Sequence, residues 1–353
     1  GPPRVPLIAG TVSPRRPLET RELQSARDCG GLEVTLGRAG APNGRLDIVI
    51  VNYETPHLLE QCLRSIADQP AGAVREVIVV DNSRTPAGAE GAVRNHRGVR
   101  LLRSPTNVGY GSAANHGVAA GTGEYALVLN ADAQLLPGAV EALVVELDEH
   151  LDAGIVGPRL VDGSGRVQPS CARFPAAGRL FVHETGLWKV ARRLRIGRRF
   201  QPFFDLDAPG VVPWVLGAAL AIRRCDFDSV GGFDPKYFMY YEEVDLSRRL
   251  ASRGILTRFT PEATITHVGG ASTAMHPAPM QRAMFRSLAR YVRRHGRDPG
   301  LIRLRTAVVA VACARFGRDI VIRTGGPARH RWRHAARMWR FVVSDAIGGW
   351  RDG

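Results

Sequence analysis

The chain has 353 residues, 44% of them apolar, and a formal net charge of +15. That length and composition allow a sizeable buried core and exclude a disordered or fibrous chain. Its five cysteines, Cys29, Cys62, Cys171, Cys225 and Cys313, are odd in number and lack CxxC spacing, which argues against a disulfide framework or a zinc site and fits a reducing cytosol.

Residues 1–45 are rich in Pro, Gly and Arg with weak periodicity. We expect a loosely attached extension there, with a short strand at 32–36. No signal peptide is expected, since no basic segment is followed by an apolar stretch and a small-residue cleavage site. The pattern changes at Leu46. Residues 46–51 read as a buried strand, and Thr55-Pro56 supplies an N-cap and a first-turn proline for a helix whose apolar positions are Leu58, Leu59, Cys62, Leu63 and Ile66. Residues 77–80 form a second buried strand ending at Asp81, 99–102 a third, 111–120 a helix and 125–129 a fourth strand. Strands alternating with helices predict an α/β fold with a mainly parallel, Rossmann-like sheet and flanking helices. In such sheets ligands gather at the carboxyl ends of the strands, and Asn52, Asp81, Asn107 and Asp132 all follow strands closely. The apolar stretch 211–222 is interrupted by Pro213 and Gly217 and is too short to span a bilayer, as is 307–314.

The charge is concentrated at one end. From Ala271 onward there are 17 arginines and no lysines against Asp298, Asp319, Asp345 and Asp352, a net +13 out of the whole chain's +15. Helical geometry over 329–347 would gather Trp332, Ala335, Ala336, Trp339, Val342, Val343 and Ala346 into one stripe, with Arg331, Arg333, Arg337 and Arg340 mostly outside it. A basic amphipathic helical tail over 296–353 is expected to meet an anionic membrane surface. Packing of the same stripe on the protein's own core is the alternative. Nucleic acid is not expected as a partner, since aromatic residues for base stacking are sparse and the acidic motifs would have no role.

Those motifs carry the chemistry. Asn130-Ala131-Asp132 follows an apolar run, and Glu242-Glu243-Val244-Asp245 comes much later. With the Asp81-Asn82-Ser83 turn and His267, they supply groups for holding a nucleotide diphosphate, a divalent cation and a hydroxyl to be deprotonated. A helix beginning near Tyr241 would put Glu242, Asp245 and Arg249 on one side and Glu243 in the sector of Leu246 and Leu250, where desolvation raises a carboxyl pKa. The glycines of Asn107-Val108-Gly109-Tyr110-Gly111 allow close backbone approach at a helix N-terminus that favours anions.

Val51-Asn52-Tyr53, Asp81-Asn82-Ser83, Asn107-Val108-Gly109-Tyr110-Gly111 with Asn115, Asn130-Ala131-Asp132, Gly231-Gly232-Phe233-Asp234 and Tyr241-Glu242-Glu243-Val244-Asp245 occur in one order. That ordered set resembles the inverting family-2 glycosyltransferases of the GT-A fold, and most closely their bacterial rhamnosyltransferase-like branch. The resemblance covers roughly 46–295. It implies a nucleotide-binding part over about 46–135 and an acceptor and catalytic part over about 136–295. Asn52, Tyr53, Asp81, Asn82, Asn107, Gly109, Tyr110, Asn115 and Asn130 are then expected at the nucleotide sugar. Asp132 and His267 are expected to hold Mg²⁺ or Mn²⁺, and Glu243 to act as general base, with Glu242 or Asp245 as alternatives. Where the family usually has Asp at the base position, this chain has Glu243.

Trp214, Gly217 and Asp234 are expected on the acceptor side, and Arg173 is a candidate phosphate contact. The implied activity transfers L-rhamnose from dTDP-L-rhamnose to a glycan or polyprenyl-diphosphate-linked acceptor at the inner face of the plasma membrane. A UDP-sugar-dependent transferase, such as a galactofuranosyl or glucosyl transferase, and a nucleotide-sugar-binding module without turnover are the alternatives. Homo-oligomerisation is left open.

Overall fold

Strand β1 (Leu46–Asn52) is buried along its whole length, and its side chains alternate between two apolar layers. Leu46, Ile48 and Ile50 enter one, Val49 and Val51 the other. The computed structural model describes residues 44–84, 87–175, 206–269 and 277–295, with isolated positions at 303, 306 and 310. All of these belong to the unit spanning 38–353. The strand expected at 32–36 and the arginine-rich stripe at 329–347 lie outside the described residues.

In chain order, β1 is followed by α1 (Pro56–Ala67), β2 (Val74–Asp81), α2 (Ala87–Arg94), β3 (Val99–Arg103), α3 (Tyr110–Ala120), β4 (Tyr125–Asn130), β5 (Ala133–Leu135) and α4 (Ala139–Glu149). Then come β6 (Ala153–Val161), β7 (Val167–Gln168), β8 (Cys171–Ala172), β9 (Gly210–Val212), β10 (Trp214–Val215), β11 (Ala219–Arg223) and α5 (Arg224–Ser229). The described elements end with α6 (Glu242–Ala251), β12 (Leu256–His267) and α7 (Pro277–His295).

The main sheet runs β3-β2-β1-β4-β11-β6-β12-β5, with β7 beside β6 and β9 beside β12. The four strands expected from sequence are all parallel, as is the long β6–β12 pair. Strands β11 and β5 are antiparallel to their neighbours. One face is covered by α1, α2 and α4, the other by α3, α5 and α6. Helix α1 buries Leu59, Cys62, Leu63 and Ile66, the i, i+3, i+4, i+7 stripe its sequence shows. Each buried Leu or Ile there contributes roughly 1.5–3 kcal/mol. Its N-cap differs from expectation. The Thr55 hydroxyl makes no cap bond and instead donates to Asn52 Oδ1 at 3.1 Å.

The apolar stretch 211–222 divides into three strands. Pro213, which has no N–H to donate, separates β9 from β10, and β11 enters the middle of the sheet between β4 and β6. The amino end of the parallel half is closed by buried Asp47, which accepts hydrogen bonds from Arg75 Nε (2.8 Å), Arg224 Nη2 (2.9 Å) and the Gly123 N–H (2.6 Å). The carboxyl end is therefore the open one. Among the described residues no helix is long and apolar enough to cross a membrane.

Candidate active site

A cleft of about 400 Å³ opens at the carboxyl ends of β1, β2 and β4. Tyr53, Asn82, Asn107, Gly109, Tyr110, Asn130 and Asp132 line it, together with Arg84, Phe238, Met239 and Met280. Parallel register explains the gathering, since Asn52 pairs with Asp81 and Val51 with Asn130 across neighbouring strands. Asn82 Nδ2 donates to Asn107 Oδ1 (2.9 Å), and Asn82 Oδ1 accepts the Val108 N–H (3.0 Å). The loop so held reaches Gly109, where φ is +87° and a Cβ would collide with the Phe238 carbonyl oxygen. Glycine is required there on both counts.

Asp132 and His267, expected from sequence to hold a cation, lie side by side. The register His267↔Ala133 between antiparallel β12 and β5 puts His267 beside Asp132, with Nε2 3.5 Å from Asp132 Oδ1. Gln168 Nε2 donates to the His267 carbonyl (2.8 Å), so its Oε1 is the acceptor facing Nδ1 at 3.1 Å. With the ring proton on Nδ1, the Nε2 lone pair would face the carboxylate. Two electron-pair donors converging on one point fit Mn²⁺ or Mg²⁺, which takes a carboxylate together with substrate phosphates. Among the described residues no group of three His, Cys, Asp or Glu forms a metal cage, so diphosphate oxygens would have to complete the shell. Gln168 carried no signal in the sequence.

Glu242 and Glu243 open α6 and are 4% and 7% exposed. The Oε2 atom of each is buried without a hydrogen-bond partner. Burial and the neighbouring Glu243 charge push Glu242 well above the usual carboxyl range. Burial also raises Glu243, while backbone N–H groups of Glu243, Gly217 and Val244 pull it back, leaving it at about 7. The pair is presented by two consecutive non-glycine residues in the left-handed region, Tyr240 and Tyr241, each at φ +67°. Such conformations cost roughly 1–3 kcal/mol apiece.

Tyr110 joins the two halves of the site. Its hydroxyl donates to the Gly217 carbonyl at 2.6 Å. Burial raises its pKa well above the ordinary value, and the charges of Glu242, Glu243 and Asp132 raise it further. Asp132 and the Glu242–Glu243 pair thus act on one phenol.

Residues 47–204 match the sequence model of Glycosyl transferase family 2. The N-acetylglucosaminyl-diphospho-decaprenol L-rhamnosyltransferase of Mycobacterium tuberculosis is 34% identical over 251 residues, covering 66% of this chain and 79% of that protein. The chain is a family-2 glycosyltransferase. It belongs to the rhamnosyltransferase-like branch. The pre-mycofactocin glycosyltransferase of the same organism is 29% identical over 197 residues, 55% of this chain and 37% of that one. Among solved structures, the mannosyltransferase PcManGT from Pyrobaculum calidifontis, in complex with GDP-Man and Mn²⁺, matches with a TM-score of 0.53 at 16% identity over 94% of both chains. That likeness is one of fold, and the fold is GT-A.

Several residues expected to touch ligand instead support the glycosyltransferase's site from behind. Asn52 spends its amide on Asp81 Oδ1 (3.0 Å) and Ser83 Oγ (3.2 Å). Asp81 is buried, and its Oδ1 also takes the Ser83 N–H at 3.2 Å, so any nucleotide contact falls to Oδ2. Asn115 clamps the Phe233 backbone, donating to its carbonyl (2.8 Å) and accepting its N–H (2.9 Å). Asp234 sits in a turn, accepting the Lys236 N–H at 3.0 Å, and pairs with Arg290 and Arg294. Asp245 is fully buried. Burial opposes its charge, but bonds from His295 and Arg249 and the Arg249 and Arg294 charges hold its pKa below the ordinary value, leaving it a structural anion. Of the acceptor-side set, Gly217 lies against the Glu243 carboxyl, where a Cβ would sit 3.6 Å from its Cδ. Trp214 is half-buried beside Tyr237 and Val244 and donates to the Arg173 carbonyl at 3.0 Å.

Proposed function

We propose that this enzyme transfers L-rhamnose from dTDP-L-rhamnose, with inversion, to a hydroxyl of a polyprenyl-diphosphate-linked glycan. The observation carrying this reading is the placement of Tyr110, which lines the cleft together with Asp132 and donates to the carbonyl of Gly217, the residue lying against the Glu243 carboxyl. Burial raises both carboxyls, Glu242 further because of the neighbouring Glu243 charge, and Glu243, at about 7, ionises near neutrality. Glu243 takes the acceptor hydroxyl proton as that oxygen bonds to the anomeric carbon and the bond to the diphosphate breaks. Tyr110 and the Gly217 backbone hold Glu243's surroundings in place, and Asp132 with His267 would hold Mg²⁺ or Mn²⁺, whose charge offsets that of the leaving dTDP. Asp81 and Tyr53 face the pyrimidine. The relative's L-rhamnosyl transfer to a diphospho-decaprenol-linked sugar supports the donor and acceptor assignment. The arginine-rich tail would hold the enzyme peripherally at the cytoplasmic face of the plasma membrane, where that acceptor lies.

The test is product analysis with a short-chain polyprenyl-diphosphate N-acetylglucosamine and either dTDP-L-rhamnose or UDP-sugars, with Mn²⁺ present. A rhamnoside of anomeric configuration opposite to the donor is expected. Transfer from UDP-sugars alone, or retained configuration, overturns the assignment.

A further inference from the structure

Helix α7 turns one face towards the segment 234–245, which ends at the carboxylate pair. Met280, Ser287, Arg290, Tyr291, Arg294 and His295 recur at helical spacing along it. Met280 lines the donor cleft. Further along, Ser287 Oγ donates to the Met239 carbonyl at 2.8 Å, and the Tyr291 ring lies 6.1 Å from that of Tyr241. Arg290 and Arg294 reach Asp234 Oδ2 at 3.2 and 2.6 Å. His295 Nε2 sits 2.7 Å from Asp245 Oδ1, and its ring lies tilted against that of Tyr291, with centroids 4.9 Å apart. Every contact but the first falls within a dozen residues of chain, and Tyr240 and Tyr241 lie inside them.

We propose that α7 is a splint for this turn, and that Ser287, Tyr291 and His295 are positioning residues that keep Tyr240 and Tyr241 left-handed and so fix the direction of the Glu243 carboxylate. Two adjacent bulky residues at φ +67° do not stay there unaided, because the β and right-handed regions are lower in energy. Ser287 anchors the chain immediately before the strained pair, Tyr291 packs on its second member, and His295 anchors Asp245 four residues beyond it. Asp245 also faces Tyr237 Oη (3.4 Å), Arg249 Nε (2.7 Å) and Arg294 Nη1 (3.4 Å), so its place is determined from both α6 and α7. The donor-binding strands take no part in these contacts. His295 lies about 22 Å along the helix from Met280, given a rise of 1.5 Å per residue. Phe238 and Met239 of the cleft wall lie at the Ser287 end and are held by Ser287 and by the Tyr110 N–H on the Phe238 carbonyl (3.0 Å), so loosening the His295 end misdirects the base while that wall stays formed.

The activity arm of this inference rests on Glu243 as base, and an exchange arm stands without it. Full-length His295→Ala, His295→Gln and Ser287→Ala are compared with the parent by steady-state kinetics in dTDP-L-rhamnose and by hydrogen–deuterium exchange. His295→Ala is expected to lower kcat at least about tenfold with donor KM within about twofold, since sub-ångström misplacement of a reacting group is costly. His295→Gln, which retains a donor for Asp245, should restore most of the loss, and faster exchange should be confined to 237–246. Unchanged kcat and exchange in His295→Ala overturn the proposal, as does loss of protection throughout the domain with kcat and KM impaired together. Failure of Glu243→Gln to reduce turnover would instead overturn the base assignment and leave the exchange result standing.

Discussion

Glu243 is held between opposing effects, burial raising its pKa and three backbone N–H groups lowering it, with a balance at about 7. A base must be ionised, so kcat/KM should fall roughly tenfold per pH unit below that value, which a pH–rate profile measures. Glu243→Gln should reduce turnover by about 10²–10⁴ with donor affinity retained. The same residue has an opposite effect on stability. A carboxyl raised from its ordinary 4.5 to about 7 binds its proton more tightly folded than unfolded, so its contribution is complete below 4.5 and is lost as pH rises through 7. The loss amounts to roughly 3 kcal/mol. Glu243→Gln should accordingly melt at a higher temperature than the parent at pH 8 and match it at pH 4.5. Gly109 tests the wall of the cleft. Gly109→Ala forces a Cβ into the Phe238 carbonyl at a positive φ, and calorimetry should find a loss of about 2 kcal/mol or more together with weaker dTDP binding.

Among elements, α3 shows how a motif residue can be engaged by its own fold. Asn115 stands one helical turn beyond Gly111, in the order the family motif prescribes, yet its amide is taken up by the Phe233 backbone. Asn115→Ala leaves that N–H and carbonyl unpaired and should lower stability by about 1–3 kcal/mol, with dTDP affinity unchanged in a titration. Strands β1 to β4 were legible as short, largely apolar runs and helix α1 by its 3.6-residue apolar repeat. The α7 partners of Asp245 and Asp234 were not, because they lie 49 to 60 residues away, and residue type alone cannot separate an exposed carboxylate from one paired with arginine. Glu243 could be distinguished from Asp245 only by helical sector, with Leu246 and Leu250 on one side and Arg249 on the other. Gln168 was illegible because its role follows from a two-residue edge strand meeting the end of β12.

At the scale of the molecule, the cation pair links separate parts of the chain. Asp132→Asn and His267→Ala should each abolish the additional thermal stabilisation that Mn²⁺ gives to dTDP binding while leaving stabilisation by thymidine intact, measured by scanning fluorimetry. The charge asymmetry predicts a second property. Sedimentation with anionic liposomes should be strong and salt-sensitive for the full chain and weak for one ending near residue 299, and equal binding by both would remove the tail from membrane attachment.

The central position of β11 has a consequence for biosynthesis. Strand β4 finishes at Asn130, but its neighbour on that side is not made until Ala219–Arg223 leaves the ribosome. Until then the nascent polypeptide carries an unsatisfied apolar edge, the kind of surface that recruits chaperones or seeds aggregates. A fragment stopping at residue 135 should for the same reason precipitate when expressed alone, and co-expression with the remainder should rescue its solubility.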